Sequence, residues 1–256
     1  MSAYAISGDL ATALDAVRLG ERAGITADPW QAELLRSQSR QSILLCSRQS
    51  GKSTISAVLA VHAAMYDSPA LVLVLSPSLR QSQELYRKVR TVLAAVREDS
   101  PRLSEESALA LEMANGSRIV CLPGKEATIR GFSGVSLLLV DEASRVPDAL
   151  YQAVRPMLAV SGGRIVLLST PFGQRGFFYR EWAEGGPEWH RAMVPATEVP
   201  RISPAWLEAE RAQIGDWWYR QEYACDFVAS EDSVFAHADV LLAVSSDVAP
   251  LFLEVS

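Results

Sequence analysis

Residues Ile43 to Thr54 read ILLCSRQSGKST: four mostly apolar residues, a short polar loop, then Gly51-Lys52-Ser53 at the start of a helical pattern. A strand, a tight loop, Gly-Lys-Ser and a helix, in that order, form a phosphate-binding loop. Each residue type answers a physical demand. Gly51 lets the backbone turn sharply and approach the phosphates. The N–H groups of Ser47, Arg48, Gln49, Ser50 and Thr54, together with the helix N-terminus, offer donors to anionic oxygens. Lys52 supplies a point charge for the β- and γ-phosphates, and Ser53 supplies a hydroxyl to Mg²⁺. The pattern departs from the usual one at Cys46, where glycine is the common residue. The rival reading, an accidental Gly-Lys-Ser at a helix start, has to be weighed against what lies downstream.

Downstream, LLLVDEAS, Leu137 to Ser144, is an apolar run that ends in two acids. An Asp at the C-terminal tip of a buried parallel strand sits beside such a loop and holds Mg²⁺, and an adjacent Glu can orient and deprotonate water. Asp141 is therefore the expected metal-side residue and Glu142 the expected general base. The bland alternative is a surface strand end, and the pairing with the loop favours the functional reading. The combination predicts an ATP-hydrolysing, Mg²⁺-dependent domain. A guanine-reading N-K-x-D segment is missing, GFSGVS at Gly131 to Ser136 lacks L-S-G-G-Q, and there is no Arg-rich nucleoside-monophosphate lid. A Glu directly after the Asp favours ATPases that act on water over kinases.

The pattern around these motifs predicts the architecture. Asp9–Arg22 reads as one amphipathic helix with Leu10, Leu14 and Val17 on a side, and Asp28-Pro29 caps a helix over Trp30–Ser37. Helices are expected over Lys52–Tyr66, Leu79–Glu98, Asp148–Leu158 and Pro204–Ala224. Buried strands are expected at Ile43–Cys46, Leu71–Leu75, Leu137–Val140 and Arg164–Leu168, with a further one at Trp189–Val194. Asn115-Gly116 between two alternating runs signals a hairpin. Alternation of strand and helix predicts an α/β fold, a mostly parallel sheet covered by helices.

The chain has 256 residues, is 49% hydrophobic and 21% charged, and carries a net charge of −6. That suits a globular protein with a substantial core and argues against a generally basic nucleic-acid coat, leaving a local patch open. Cys46, Cys121 and Cys225 are far apart without zinc spacing and read as reduced, buried thiols. His62, His190 and His237 are isolated. The start lacks a signal-peptide pattern and the apolar runs are too short to span a bilayer, so no membrane association and a cytoplasmic location are expected.

Taken together, Ala27 to Phe235 resembles the ATPase domain of the large terminase of tailed bacteriophages, the motor that packages DNA into proheads. DPWQAELL at Asp28 to Leu35 is similar to its adenine-recognition segment. SRQSGKST is similar to the terminase form of the loop, which has an Arg before Gly-Lys and often lacks the first Gly. SPSLRQSQEL, TIRGFSG, LLSTP and RQEYACDFV followed by SVF are similar to further segments in the family's order. The resemblance implies a P-loop NTPase of the ASCE division, RecA/helicase-like, with a core over 1–194, a lid over 195–235 and a linker remnant over 236–256. It implies ATP and Mg²⁺ as cofactors, and double-stranded DNA, a homo-oligomeric ring, a portal protein and a small terminase subunit as partners. By residue, it implies adenine reading by Gln31 and γ-phosphate sensing by Ser169 and Thr170, on a strand between the loop strand and the acidic strand. Arg130 would act in trans on a neighbour's ATP, and Arg48 would lie near the phosphates in cis or contact the lid. A helicase-like translocase and a nucleotide-binding module with little turnover are the rival functions. The residues after Phe235, with Asp239, Asp247 and Glu254 as their acids, cannot build the family's nuclease, so no DNA cleavage by this chain is expected.

Overall fold

The computed structural model describes residues 3–96, 100–124 and 131–228, with side chains from residue 9 onward. Its centre is an eight-stranded sheet in the order β3-β4-β5-β2-β6-β7-β1-β8. The strands are β1 (Gln41–Cys46), β2 (Leu71–Ser76), β3 (Leu103–Glu106), β4 (Ala110–Met113), β5 (Arg118–Pro123), β6 (Leu137–Asp141), β7 (Arg164–Ser169) and β8 (Trp189–Val194). All pairings from β5 to β8 are parallel, while β3, β4 and β5 form an antiparallel meander that turns at Asn115-Gly116.

Strand alternation sends side chains to two cores. Leu44, Cys46, Val72, Val74, Leu137, Leu139, Val166 and Leu168 face one cluster. That cluster is closed by α2 (Ala16–Arg22), α3 (Pro29–Arg36), α4 (Lys52–Tyr66) and α5 (Leu79–Ala95). Ile43, Leu45, Leu73, Leu75, Leu138, Val140, Ile165 and Leu167 face the other, closed by α6 (Asp148–Val154) and α7 (Gly176–Ala183). Strands buried on both faces must be apolar throughout, which is why they read as continuous runs. Each such Leu or Val side chain contributes roughly 1.5–3 kcal/mol of transfer free energy.

Four expectations are corrected. The segment Asp9–Arg22 is not one helix: α1 (Ala3–Leu14) and α2 are separated at Asp15, whose carboxylate accepts from Val17 N at 3.0 Å and caps α2. Leu10 and Leu14 accordingly stay exposed. The helix after Leu79 ends at Ala95. The Asp148 helix gives way at Arg155 to a 3-10 turn containing Pro156, which has no N–H to continue an α-helix. The stretch Pro204–Ala224 is two helices, α8 (Pro204–Ile214) and α9 (Asp216–Glu222), broken at Gly215 with φ 83°. α8, α9 and the turn at Ala196 share a small core of Ala196, Leu207 and Tyr223. Among the described residues, no helix is long and apolar enough to cross a membrane.

Candidate nucleotide site

The C-terminal tips of the central strands lie level. Leu45 of β1 is in register with Ser169 of β7, and Asp141 of β6 with Leu168. β7 thus lies between the loop strand and the acidic strand, as expected. Clefts at the carboxyl ends of parallel strands are where α/β sheets bind ligands.

Between β1 and α4 the backbone makes two uncommon turns, with Gln49 at φ 57° and Gly51 at φ 93°. A β-carbon on Gly51 would lie 2.6 Å from Gln31 Nε2, so a larger residue would combine a disfavoured torsion with displacement of the Gln31 amide. The N–H groups of Ser47 and Arg48 donate to Val194 O and Glu222 O, both at 2.9 Å, which anchors the loop to β8 and α9. Among the described residues, those of Gln49, Ser50, Gly51, Lys52 and Ser53 have no protein acceptor. Consecutive free donors at a helix N-terminus form an anion cradle.

Lys52 is buried, with Nζ donating to Ser47 O at 3.0 Å and lying 3.6 Å from Glu142 Oε1. Ser53 Oγ donates to Asp141 Oδ2 at 2.8 Å. The other carboxylate oxygen, Asp141 Oδ1, is buried without a partner. Burial, then the neighbouring Glu142 charge, pushes the Asp141 carboxyl above its ordinary value. A desolvated, half-satisfied carboxylate bonded to a hydroxyl fits a hard divalent cation, which takes oxygen ligands and few protein side chains. Among the described residues, no group of three or more His, Cys, Asp or Glu could hold a metal ion.

Glu142 takes the left-handed conformation, φ 50°. For a residue with a β-carbon this stores roughly 1–3 kcal/mol of strain. It turns the carboxylate back over the sheet, where Oε2 accepts from Thr170 Oγ1 at 3.3 Å and Ser169 Oγ at 3.5 Å. Ser144 ties the acidic turn to β7. Its N–H donates to Ser169 Oγ at 3.1 Å, and its hydroxyl lies 2.7 Å from Ser169 Oγ and donates to Thr170 O at 2.9 Å.

Gln31 is buried, its Oε1 accepting from Asp28 N at 2.9 Å and its Nε2 donating to Ser50 O at 3.1 Å. Arg201 donates to the same Ser50 O at 3.0 Å and to Asp28 Oδ1 at 2.7 Å. Thr54 Oγ1 accepts from Lys88 Nζ at 3.4 Å. Arg48 Nε lies 2.7 Å from Glu222 Oε2, on α9. Cys46 is fully buried in the core, where burial pushes its thiol up to about 12. Its side chain packs in the core cluster with Leu44 and Val194. Arg130 lies outside the described residues, as does everything after Val228. Sequence reasoning missed Ser144, Arg201 and Glu222. Ser144 had a signal, a hydroxyl two residues after the acid pair. Arg201 and Glu222 had none, since their partners are distant in sequence.

A family model described as the terminase large subunit, T4likevirus-type, N-terminal, matches residues 43–241. The large terminase subunit of Thermus phage G20c is 25% identical over 246 residues, covering 83% of this chain and 51% of that protein. That of Escherichia phage T5 is 24% identical over 197 residues, covering 74% and 44%. The chain thus spans about half the length of the curated relatives it matches. Among solved structures, the large terminase ATPase domain of Thermus phage P74-26 superposes with a TM-score of 0.73 at 22% identity, covering 82% of this chain and 97% of that domain. The large terminase of a thermophilic bacteriophage in complex with ATP-gamma-S superposes with a TM-score of 0.58 at 14% identity, covering 86% and 52%. The shared fold is the RecA-like P-loop NTPase fold.

Proposed function

The chain belongs to the T4-like terminase large-subunit N-terminal family, and on that premise we propose that it hydrolyses ATP and couples turnover to movement of double-stranded DNA into a prohead. The observation that carries this reading is the meeting of Ser53 with Asp141 and of Lys52 with Glu142 at the level tips of β1 and β6. The free N–H groups of Gln49 to Ser53 and the Lys52 ammonium bind the phosphates of ATP. The second N–H of Gln31 Nε2 reads the adenine edge while the first holds the loop. Asp141 and Ser53 would hold Mg²⁺, which would supply neutralisation of the phosphate charge. Glu142 orients a water and takes its proton as the water oxygen bonds to the γ-phosphorus and the bond to the β-phosphate oxygen breaks, giving ADP and phosphate. Ser169 and Thr170, bonded to the same carboxylate, sense whether the γ-phosphate is present. Residues 195–235 act as the lid, and Arg130 of a neighbouring copy in a ring completes the site, a contribution of about 10³–10⁵ in rate. The portal protein and small terminase subunit are the partners of the whole machine, in the cytoplasm of the bacterial host.

The test is steady-state ATP hydrolysis with Mg²⁺ across a wide range of protein concentration, with and without double-stranded DNA. Turnover per chain should rise with concentration, respond to DNA, and fall about 10²–10⁴-fold in Glu142→Gln. Turnover independent of concentration and indifferent to Arg130→Ala would remove the trans arginine. An unaltered rate in Glu142→Gln would remove the ATPase reading.

A further inference from the structure

Two arginines lie side by side at the end of the sheet opposite the cradle. Gln41 of β1 is in register with Ile165 of β7, so the preceding residues, Arg40 and Arg164, face each other, and Ile165 N donates to Arg40 O at 2.8 Å. Like charges opposite one another on adjacent strands are unfavourable. Among the described residues, no carboxylate lies within ion-pair distance of either. Both line a cavity of about 580 Å³ between α2, the end of α3, α4 and the turn before β7. A third guanidinium in the wall, that of Arg36, is 2.8 Å from Asp15 Oδ2 and so already paired. Among the described residues, Asp67 is the one acid in the wall. Burial draws the Arg164 guanidinium below its ordinary value, against the opposing pull of the Asp67 charge. Its Nε is buried with no partner, while Nη2 donates to Leu34 O at 3.1 Å.

The wall beside these arginines is held in place. A β-carbon on Gly163 would collide with Val135 O, and Ser161 Oγ donates to Val135 O at 2.5 Å and accepts from Gly163 N at 3.2 Å, which fixes the turn before β7. Gly162, with φ 60°, brings the chain beside Arg40, where a β-carbon would lie 3.3 Å from Nη1. We propose that this cavity binds a phosphate group, free or carried as a small monoester, between the Arg40 and Arg164 guanidiniums. Guanidinium forks match phosphate oxygens in paired, charge-assisted hydrogen bonds. A dianion neutralises two arginines that have no acid of their own. A cavity of this size takes a small molecule and excludes a duplex. The site is separate from the cradle, because the six residues of β1, at about 3.3 Å each, put it roughly 20 Å from the phosphate loop. β1 and β7 carry that loop and Ser169 at their far ends, so a ligand here braces the frame of the nucleotide site without touching it.

The experiment is thermal unfolding of the full chain carrying Lys52→Ala, which disables the cradle, in sodium phosphate against sodium chloride of equal ionic strength. Phosphate at about ten times its dissociation constant should raise Tm by about 3–6 °C over chloride. Arg40→Glu, at an exposed position, should abolish that difference, and Arg164→Gln should do the same. Ribose 5-phosphate separates the two sources. A rise with it that Arg40→Glu abolishes identifies a monoester, and a rise with inorganic phosphate alone identifies the free ion. If Arg40→Glu does not fold, Arg40→Gln decides. No rise over chloride with either ligand, or the same rise with and without the Arg40 charge, overturns the site. Neither result bears on the ATPase reading, which is tested by hydrolysis in the unaltered chain.

Discussion

Ser144→Ala isolates the link between the acidic turn and β7. The Ser144 hydroxyl has one proton, and Thr170 O, 2.9 Å away, can only accept, so the proton goes there. Ser169 must then donate to Ser144 Oγ across 2.7 Å. Removing the hydroxyl deletes both bonds, in a region where Ser169 and Thr170 are almost fully buried. At roughly 0.5–1.5 kcal/mol net per bond, with no new cavity beyond one oxygen, the expected loss is about 2 kcal/mol. For a domain of this size that lowers Tm by about 4–8 °C. The functional consequence differs from the structural one. Thr170 Oγ1 is then the donor to Glu142 Oε2, at 3.3 Å, while the Ser169 proton is engaged with Ser144. Once Thr170 is untethered, and Ser169 is free to turn its proton on Glu142, the base is less well placed. kcat should fall while ATPγS affinity stays within about twofold, because Ser144 does not touch the cradle. Thermal unfolding and single-turnover hydrolysis measure the two effects. Thr91→Ala, which removes a hydroxyl bonded to Arg87 O on the exposed face of α5, serves as the control and should lie within about 0.5 kcal/mol of the parent. A Ser144→Ala protein that melts and turns over like the parent would refute the tether.

The remaining predictions concern the same cleft and the cysteines. Gly51→Ala combines a disfavoured torsion with a contact 2.6 Å from Gln31 Nε2, and should abolish nucleotide binding in a fluorescent-nucleotide titration. Affinity within twofold of the parent would show that the loop relaxes freely. Asp141 has its carboxyl raised above 3.8 by burial and by Glu142, so the folded state binds that proton more tightly than the unfolded state does. Stability from this group is therefore lost as pH rises from 3.8 through the raised value, and stays lost at neutral pH. Asp141→Asn should thus melt higher than the parent at pH 7 in EDTA yet gain nothing from Mg²⁺ with ATPγS, and a lower melting point in EDTA would contradict the buried-charge account. The Cys46 and Cys121 thiols, pushed by burial to about 12, and Cys225, shifted in the same direction, should resist thiol reagents at pH 8 until the protein unfolds. Rapid labelling of the native chain would show that a core opens.

The parts of the site legible in sequence are those whose chemistry is local. The cradle needs neighbours in one loop, and the acid pair needs only an apolar strand before it, so both could be placed at the tips of buried strands. The position of β7 between them followed from the resemblance, and the registers Leu45 with Ser169 and Asp141 with Leu168 confirm it. What escaped reading depends on distant partners. β3, Leu-Ser-Glu-Glu, is exposed throughout and carries no alternation; it is a strand because β4 pairs with it. α7 begins at Gly176, a poor helix residue, and is held by Asp148, whose carboxylate accepts Phe177 N at 2.7 Å and pairs with Arg180. Arg201 and Glu222 look like ordinary surface charges until the fold brings Ser50 and Arg48 to them. The break at Asp15 was a misread cap: its side chain competes for backbone donors that a continuous helix would use.

The order of strands has a consequence for synthesis. β1 carries the phosphate loop, yet both of its sheet neighbours, β7 and β8, are encoded more than a hundred residues later. On the ribosome the loop strand emerges early and has no strand to pair with while β2 to β6 are made. At roughly 5–20 residues per second, it waits several seconds as an unpaired apolar segment. Its insertion requires closing a long stretch of chain, a slow kind of contact. ATP cannot act as a folding template for the early half, because Asp141 and the Ser169 tip are also late. The site is finished when the last central strand slides in, so a chain stalled before Arg164 lacks the assembled site and leaves an apolar strand unpaired and open to chaperones.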